Sequence, residues 1–276
     1  MLKLMYITNQ PDIARIAENA GVDRIFVDME YIGKSDRQDG LNTVQCRHTL
    51  DDVLAIRKAI SLAELLVRCN PIHDSTVEYI SSEDEINGII ERGADIVMLP
   101  YFKTTDEVNR FVRCVNGRAR TMLLVETPEA VERIDALLDH PGIDEIHIGL
   151  NDLSLGYGKK FMFELLADGT VEELCYKARK KGIPYGFGGI ASIGKGMLPA
   201  EKIIREHYRL GSSFVILSRS FCNANEITET EEIKRIFEEG IEDIRELENE
   251  CQKYADFFWR NKKDVEDIVK QISERM

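Results

Sequence analysis

The sequence lacks the features that identify most membrane proteins, secreted proteins and metal scaffolds. No apolar run reaches the roughly 18 to 20 residues that a membrane span needs, and residues 1–21 contain no small-residue cleavage signal after an apolar segment. The six cysteines include no Cys-x-x-Cys pair and the five histidines no His-x-x-x-His spacing, which disfavours a disulfide framework and a structural zinc site. We therefore expect a soluble cytoplasmic protein with reduced thiols.

Basic residues are also in deficit. The chain has 36 lysines and arginines against 49 aspartates and glutamates, a formal charge of −13. General nucleic-acid and anionic-membrane surfaces are basic, so we expect neither partner. What the sequence does have is 276 residues of which 43% are hydrophobic, enough for the core of a single (β/α)₈ barrel.

Short apolar runs alternate with amphipathic stretches along most of the chain. The predicted strands are 3–8, 24–30, 64–70, 95–101, 121–126, 145–151, 183–188 and 213–218. The predicted helices are 11–20, 49–60, 82–92, 105–115, 128–138, 160–181 and 199–209. Nearly continuous apolar strands are typical of a parallel sheet covered on both faces, and eight such units favour a TIM barrel. A doubly wound sheet is the competing interpretation, although residues 8–12 lack its glycine-rich turn.

The end of the chain predicts a different element. We divide the protein into a barrel over 1–225 and a long C-terminal helical extension over 226–276. Apolar residues recur there every three or four positions, a helical seam longer than one barrel helix needs: Ile233, Phe237, Gly240, Ile244, Leu247, Cys251, Tyr254 and Phe258. The Arg-Asn-Lys-Lys stretch at 260–263 predicts a break before a last short helix. The extension is either a long eighth helix on its own barrel or an arm on a neighbouring subunit, and we favour the arm.

Polar side chains end several predicted strands, the place where TIM barrels carry their active sites. They are Asp28 and Glu30, Arg68, Glu126, and Asn151 with Asp152. Glu126 and Asp152 end neighbouring strands and could bind Mg²⁺ together with waters, while the planar fork of Arg68 could bind a substrate carboxylate. Each has a structural alternative: Asp152 could cap a helix, and Arg68, Asp28 and Glu30 could form ion pairs. Their grouping favours function.

Two segments resemble a known signature. Val-Glu-Thr-Pro-Glu-Ala (125–130) and Pro-Gly-Ile-Asp-Glu-Ile-His-Ile-Gly-Leu-Asn-Asp-Leu-Ser (141–154) are similar to motifs of the HpcH/HpaI aldolase and citrate lyase β-subunit family. Residues 27–30, 67–71 and 93–100 fall where that family has its other motifs. The resemblance is dense from about residue 22 to about residue 155 and looser through the eighth strand.

The resemblance implies a (β/α)₈ barrel of the pyruvate/phosphoenolpyruvate superfamily, assembled into homo-oligomers, either trimers or hexamers. It implies a carbon–carbon lyase that uses Mg²⁺ or Mn²⁺ and acts on a small-molecule 2-keto acid through a metal-stabilised enolate. By the same resemblance Arg68 holds the keto oxygen and backbone N–H groups near Asn151 and Asp152 bind the carboxylate. The predicted site is Arg68, Asp28 and Glu30 for catalysis, Arg68, Asn151, Asp152 and Tyr31 for substrate, and Glu126 with Asp152 for metal.

Two positions depart from the family's aldolases. Tyr31 stands where they have a histidine, and Leu124 stands where they have a glutamine. The departures lean toward a citrate-lyase-like enzyme acting on an acyl thioester, although no coenzyme A signature is visible. They also allow a non-catalytic barrel that keeps the metal site. His48 or His73 could replace the missing base, or either could be an ordinary loop histidine. The glycine-rich segment 186–196, with Lys195, could cradle an anion or act as a lid.

Overall fold

The computed structural model describes residues 1–34, 47–253 and 257–276. Within them, parallel strands close into a barrel in sequence order, with the first strand bonded to the eighth. The strands are β1 (Lys3–Ile7), β2 (Arg24–Asp28), β3 (Glu64–Arg68), β4 (Ile96–Leu99), β5 (Arg120–Val125), β6 (Glu145–Ile148), β7 (Tyr185–Ile190) and β8 (Phe214–Leu217). The predicted TIM barrel is confirmed, and the doubly wound alternative is wrong because the sheet has no open edge.

Helices separate the strands and cover the barrel. They are α1 (Pro11–Asn19), α2 (Leu50–Ala59), α3 (Ser82–Glu91), α4 (Thr105–Val115), α5 (Pro128–Glu132), α6 (Ile134–Leu138), α7 (Leu150–Gly156), α8 (Glu164–Ala167), α9 (Thr170–Lys181), α10 (Ala200–Leu210), α11 (Thr230–Lys253) and α12 (Phe258–Ser273). Hydroxyl groups fix several starts, since Thr49, Ser81, Thr104 and Thr127 each accept a hydrogen bond from a backbone N–H of the first turn.

Most predicted bounds shift by one to three residues, and three differences in the barrel change the local structure. The predicted helix 128–138 is divided at Arg133 into α5 and α6. The predicted helix 160–181 is divided into α8 and α9 before Gly169, whose φ of 90° is incompatible with a continuous helix. The predicted sixth strand ends at Ile148, three residues early, because the chain turns at Gly149 and enters α7.

Alternate residues of the strands point into the barrel and form layers. A cluster of Met5, Phe26, Leu66, Ile96, Met98, Met122, Leu124 and Phe214 fills the middle. Their outward neighbours, such as Val27, Val67 and Val125, belong to the larger cluster between the sheet and the helices. Along a strand, the inward-pointing residues before and after an apolar one are often charged, as Arg24 and Asp28 are on either side of Phe26. Charged layers therefore lie at both ends of an apolar barrel core.

The C-terminal seam is confirmed as a buried stripe. Ile233, Phe237, Ile244 and Cys251 are each no more than 3% exposed. Gly240 is needed in this stripe because a Cβ there would lie 2.8 Å from the ring of Phe221. Tyr254 lies outside the described residues.

The predicted break at 260–263 is wrong, since these residues lie inside α12. Polar groups there dock the helix instead of ending it. The Asn261 side chain is 3% exposed and donates to the Lys202 carbonyl oxygen and to Glu206 Oε1 at 3.0 and 2.9 Å. Lys262 Nζ lies 2.8 Å from Glu172 Oε2.

Within one chain, both terminal helices pack on their own barrel. Glu248, fully buried, accepts hydrogen bonds from the Leu2 backbone N–H and the Tyr208 hydroxyl, and Arg245 contacts Asp23. The apolar stripe that motivated an arm on a neighbouring subunit is therefore already covered, and packing on a neighbour stays a prediction.

Two further features concern the whole described chain. None of its described helices combines the length and apolar character that crossing a membrane requires. Five cysteines are free thiols, namely Cys69, Cys114, Cys175, Cys222 and Cys251. Cys46 is outside the described residues.

Candidate active site

The strand alternation places Asp28 and Arg68 in one layer at the carboxyl end of the barrel. On β2 the inward residues run Arg24, Phe26, Asp28, and β3 pairs with it in register as Glu64, Leu66, Arg68. Because the carboxyl ends of parallel strands share one face, the Asp28 and Arg68 side chains meet there. The sequence predicted this convergence from strand ends alone.

The Arg68 guanidinium is fixed by two acids. Its Nε and Nη2 donate to Asp28 Oδ1 and Oδ2 at 2.8 and 2.7 Å, and its Nη1 lies 3.2 Å from Glu30 Oε2. The Arg68 side chain also lies over the Phe26 ring, with Cζ 5.6 Å from the ring centre. The Arg68 side chain is 14% exposed, and a guanidinium has five N–H groups, more than these three contacts use.

A fourth charged residue, Lys34, completes this cluster and was missed by the sequence reasoning. Its Nζ lies 3.1 Å from Asp28 Oδ2 and 3.3 Å from Glu30 Oε2, and its side chain is 6% exposed. Two acids and two bases thus compensate each other in a buried site, as buried charges require. The sequence contained no signal for Lys34 because it lies six residues after the end of β2. Only the turn after β2 brings its side chain back to Asp28 and Glu30.

These contacts set the ionisation of the cluster. Burial alone would raise the pKa of Asp28, but the charges and hydrogen bonds of Arg68 and Lys34 hold that pKa well below its ordinary value. Burial alone would lower the pKa of Arg68, yet Asp28, Glu30 and Glu126 together raise it well above its ordinary value. Asp28 is therefore a permanent anion that positions Arg68, and it is no proton acceptor near neutral pH. The structural alternative, an ion-pair cluster, is therefore what the contacts show, and the catalytic roles of these residues stay a prediction.

Glu126 lies close enough to this cluster to raise the pKa of Arg68. Its side chain also lies against the turn between β6 and α7. Its carboxylate Oε1 accepts the Tyr101 backbone N–H at 2.9 Å. A Cβ at position 149 would lie 2.8 Å from both Cβ and Oε2 of Glu126, so only glycine leaves room for this side chain. Gly149 therefore lets the Glu126 carboxylate lie against the β6–α7 turn.

Asp152 lies in the first turn of α7, immediately after that glycine, and is 8% exposed. Asn151 is exposed, and its carbonyl oxygen accepts the Ser154 hydroxyl. Two buried carboxylates on adjoining elements supply hard oxygen ligands, which suit Mg²⁺ or Mn²⁺. The described ranges contain no cluster of three or more His, Cys, Asp or Glu residues that could hold a metal. A cation here would complete its coordination with water and substrate oxygens, as Mg²⁺ commonly does.

Tyr31 belongs to the edge of the site. Its ring makes an edge contact with Tyr79 at 6.4 Å between ring centres, and 40% of the residue is exposed. Burial and the nearby Glu85 raise the pKa of the Tyr31 hydroxyl, so even less of it is ionised near neutral pH than of an ordinary tyrosine. Its backbone N–H donates to Asn70 Oδ1 at 2.9 Å.

The two candidate replacement histidines differ. His48 Nδ1 accepts the backbone N–H of Asp28 at 3.0 Å, which places His48 beside the charged cluster. His73 is on the loop after β3, where its ring nitrogens lie 2.7 and 2.9 Å from the carbonyl oxygens of Pro71 and Ile80. Both ring nitrogens of His73 are therefore engaged by its own loop, which agrees with an ordinary loop histidine.

The glycine-rich segment offers less for an anion than its composition indicated. The Gly194 N–H already donates to a carboxylate, Glu201 Oε2, at 3.2 Å, and the Lys195 N–H donates to the Ser192 carbonyl oxygen. Lys195 itself is exposed.

The fold and this layer define a (β/α)₈ protein with a charge-compensated arginine beside two carboxylates at the catalytic face. The family profile described as HpcH/HpaI aldolase/citrate lyase matches residues 3–185. The chain belongs to the HpcH/HpaI aldolase/citrate lyase family, which is of lyase type. A search of curated proteins found no match.

Solved structures agree with the fold. An HpcH/HpaI aldolase from Desulfitobacterium hafniense DCB-2 is 18% identical, with a TM-score of 0.59 over 79% of this chain and 86% of that one. An HpcH/HpaI aldolase/citrate lyase family protein from Burkholderia cenocepacia J2315 is 15% identical, with a TM-score of 0.63 over 81% and 91%. The citrate synthase SbnG is 15% identical, with a TM-score of 0.59 over 81% and 89%.

Proposed function

We propose that this protein is a divalent-metal-dependent carbon–carbon lyase that acts on a 2-keto acid through an enolate. The observation that carries the proposal is the group of acids and bases that the strand ends bring together. Asp28 and Glu30 pair with Arg68 and Lys34, Glu126 is close enough to raise the pKa of Arg68, and Asp152 is a second buried carboxylate in the first turn of α7. Carboxylate oxygens are ligands that suit Mg²⁺ and Mn²⁺.

The residues divide the work as follows. Glu126 and Asp152 would hold Mg²⁺ or Mn²⁺, which when bound supplies Lewis-acid stabilisation of negative charge on the keto acid. Arg68 donates hydrogen bonds to the keto oxygen, where negative charge develops in the enolate. It uses the N–H groups that do not contact Asp28 or Glu30. Asp28 and Glu30 orient that guanidinium, because a fixed donor stabilises developing charge without reorganising. The first turn of α7, at Asn151 and Asp152, presents backbone N–H groups to the substrate carboxylate.

One observation favours a second candidate, a citrate-lyase-like enzyme acting on an acyl thioester. Leu124 is 4% exposed, and its Cδ1 lies 3.2 Å from the position of a Cβ at Gly149. This makes the wall beside Glu126 apolar, where the aldolases that the sequence resembles have an amide. A barrel that binds the metal without catalysis is the third possibility.

Assembly and location are part of the proposal. We propose a homo-oligomer, a trimer or hexamer by family resemblance, and a cytoplasmic location by composition. Light scattering at micromolar concentration tests the first, and a monomer would contradict it.

Proton exchange tests the function directly. Pyruvate incubated with the protein and Mg²⁺ or Mn²⁺ in D₂O should lose its methyl proton signal, and excess chelator should stop the exchange. Lactate, which has no keto oxygen, is the matched control and should not exchange. Exchange of acetyl-coenzyme A instead of pyruvate would support the thioester candidate. No exchange with either compound would contradict both enzymatic candidates.

A further inference from the structure

His48 occupies a gap in the wall of the barrel mouth. The Thr8 N–H of the β1 end donates to the Phe26 carbonyl oxygen at 3.1 Å. One pair of residues further along β2, the Asp28 N–H donates to His48 Nδ1 at 3.0 Å. The imidazole therefore lies where β1 and β2 separate, at the level of the charged cluster.

This hydrogen bond fixes the tautomer of the ring. A backbone N–H can only donate, so Nδ1 carries no proton and the neutral imidazole carries its proton on Nε2. Burial lowers the pKa of His48, and nearby Lys34 lowers it further, while Asp28 and Asp52 oppose the shift. His48 is thus a neutral ring with one N–H to donate near neutral pH, a form that can stabilise an oxygen on which charge develops.

The topology places His48 on the opposite side of the barrel from Glu126 and Asp152, the proposed metal ligands. In a closed ring of eight strands, the β1–β2 junction lies opposite the β5–β6 junction, which carries Glu126 and Asp152. A keto acid bound between that junction and Arg68, as proposed above, would have β1 and β2 on its other side. Other groups at this level are committed, since Asp28 is held as an anion and Glu30 and Lys34 contact each other at 3.3 Å.

We propose that His48 binds the second reactant by donating Nε2–H to the carbonyl oxygen of the aldehyde or acyl compound that joins the enolate carbon. That oxygen gains negative charge as the carbon–carbon bond forms and loses it as the bond breaks, so the hydrogen bond is strongest in between. The proton stays on Nε2. The inference rests on the proposed function and names the residue that recognises its second substrate.

Two substitutions separate this role from a structural one. In His48→Asn the amide oxygen can replace Nδ1 as acceptor for the Asp28 N–H, but no group replaces Nε2. In His48→Gln the amide reaches the Nε2 position and can donate. His73→Asn is the matched control on the neighbouring loop. For each variant, pyruvate exchange is measured first, and then condensation of pyruvate with formaldehyde, acetaldehyde, glycolaldehyde and glyoxylate.

We expect His48→Asn to lower the ratio of condensation to exchange about 100-fold, the usual cost of losing one such donor. His48→Gln should recover part of this loss, and His73→Asn should keep the parent ratio. Condensation by the parent should fall with acid below pH 6.5, as His48 gains a proton and loses the Asp28 contact, and His48→Gln should lose this acid limb. A parent ratio in His48→Asn, or a parent that exchanges pyruvate but condenses it with none of the four acceptors, would overturn the inference. A parent that does not exchange would instead overturn the function itself.

Discussion

The two ends of the barrel both contain buried charge but use it differently. At the amino end, Arg24 donates to Glu145 through both Nη atoms at 2.7 and 2.8 Å and to Glu64 through Nε at 2.8 Å. Arg120 also contacts both acids, and half-exposed Lys3 reaches Glu64 at 3.4 Å. Acid is fully compensated there. At the carboxyl end, two acids and two bases form the cluster of Asp28, Glu30, Arg68 and Lys34, and the buried carboxylates Glu126 and Asp152 are also at this end of the barrel.

The two clusters differ in the exposure of their central arginine. Arg24 is 1% exposed and its guanidinium lies over the Phe214 ring, with Cζ 4.9 Å from the ring centre, so no solute reaches it. The Arg68 side chain is 14% exposed. The compensated, closed cluster is a structural device, whereas the cluster at the carboxyl end is the one that we propose as the binding site.

Removing Glu126 or Asp152 should have the largest effect. Glu126→Ala and Asp152→Ala each delete one of two proposed metal ligands, so calorimetry should show loss of Mg²⁺ and Mn²⁺ binding and the metal-dependent exchange should disappear. Thermal unfolding should stay cooperative, because residues at the rim contribute little to the barrel core. Asp106→Ala, on the exposed first turn of α4, is the matched control. Parent-like metal binding in both variants would leave the lyase proposal without its metal site.

Breaking the closed cluster should affect stability instead. Arg24→Met leaves Glu145 buried with only Arg120, and losing one partner of a buried ion pair costs roughly 3–5 kcal/mol. Urea unfolding should therefore show a much lower midpoint, while calorimetry on the folded variant should give the parent metal affinity. A metal affinity that falls together with stability would show that the two ends are coupled, contrary to the comparison.

Low pH should cause a smaller loss of stability, through His147 in the layer between the two charged ends. Burial lowers the pKa of His147 to about 3, and Arg68 and Arg24 add to this shift against the opposing bond to the Gly188 carbonyl oxygen. Because the folded-state pKa lies below the unfolded value, the stabilisation is complete above pH 6.5 and is lost as the pH falls toward 3. We expect a loss of about 1–2 kcal/mol from pH 7 to pH 5 by this linkage.

His147→Gln keeps a donor for the Gly188 carbonyl oxygen but does not titrate. Urea midpoints of this variant should fall less between pH 7 and pH 5 than those of the parent. An equal fall in both proteins would show that His147 is not the source of the acid sensitivity.

Much of the architecture could be predicted because it depends on local pattern. Apolar strands at regular spacing, Thr and Ser at helix starts, and Pro11 and Pro128 in first turns are properties of short segments. The strand ends also named Asp28, Arg68 and Glu126, since parallel strands of a barrel open on one face. The position of the break near the C-terminus was missed because polar Asn261 is buried, which no local pattern predicts.

The sequence by itself determined the repeating β and α units, the acidic balance and the residue types at the catalytic face. Only the tertiary structure decided their partners: Lys34 on Asp28, Glu126 against Gly149, His48 on the Asp28 amide, and the terminal helices on their own barrel. The physical reason is that hydrophobic periodicity is encoded within a few turns of chain, whereas ion pairing depends on distance and burial between segments far apart in sequence.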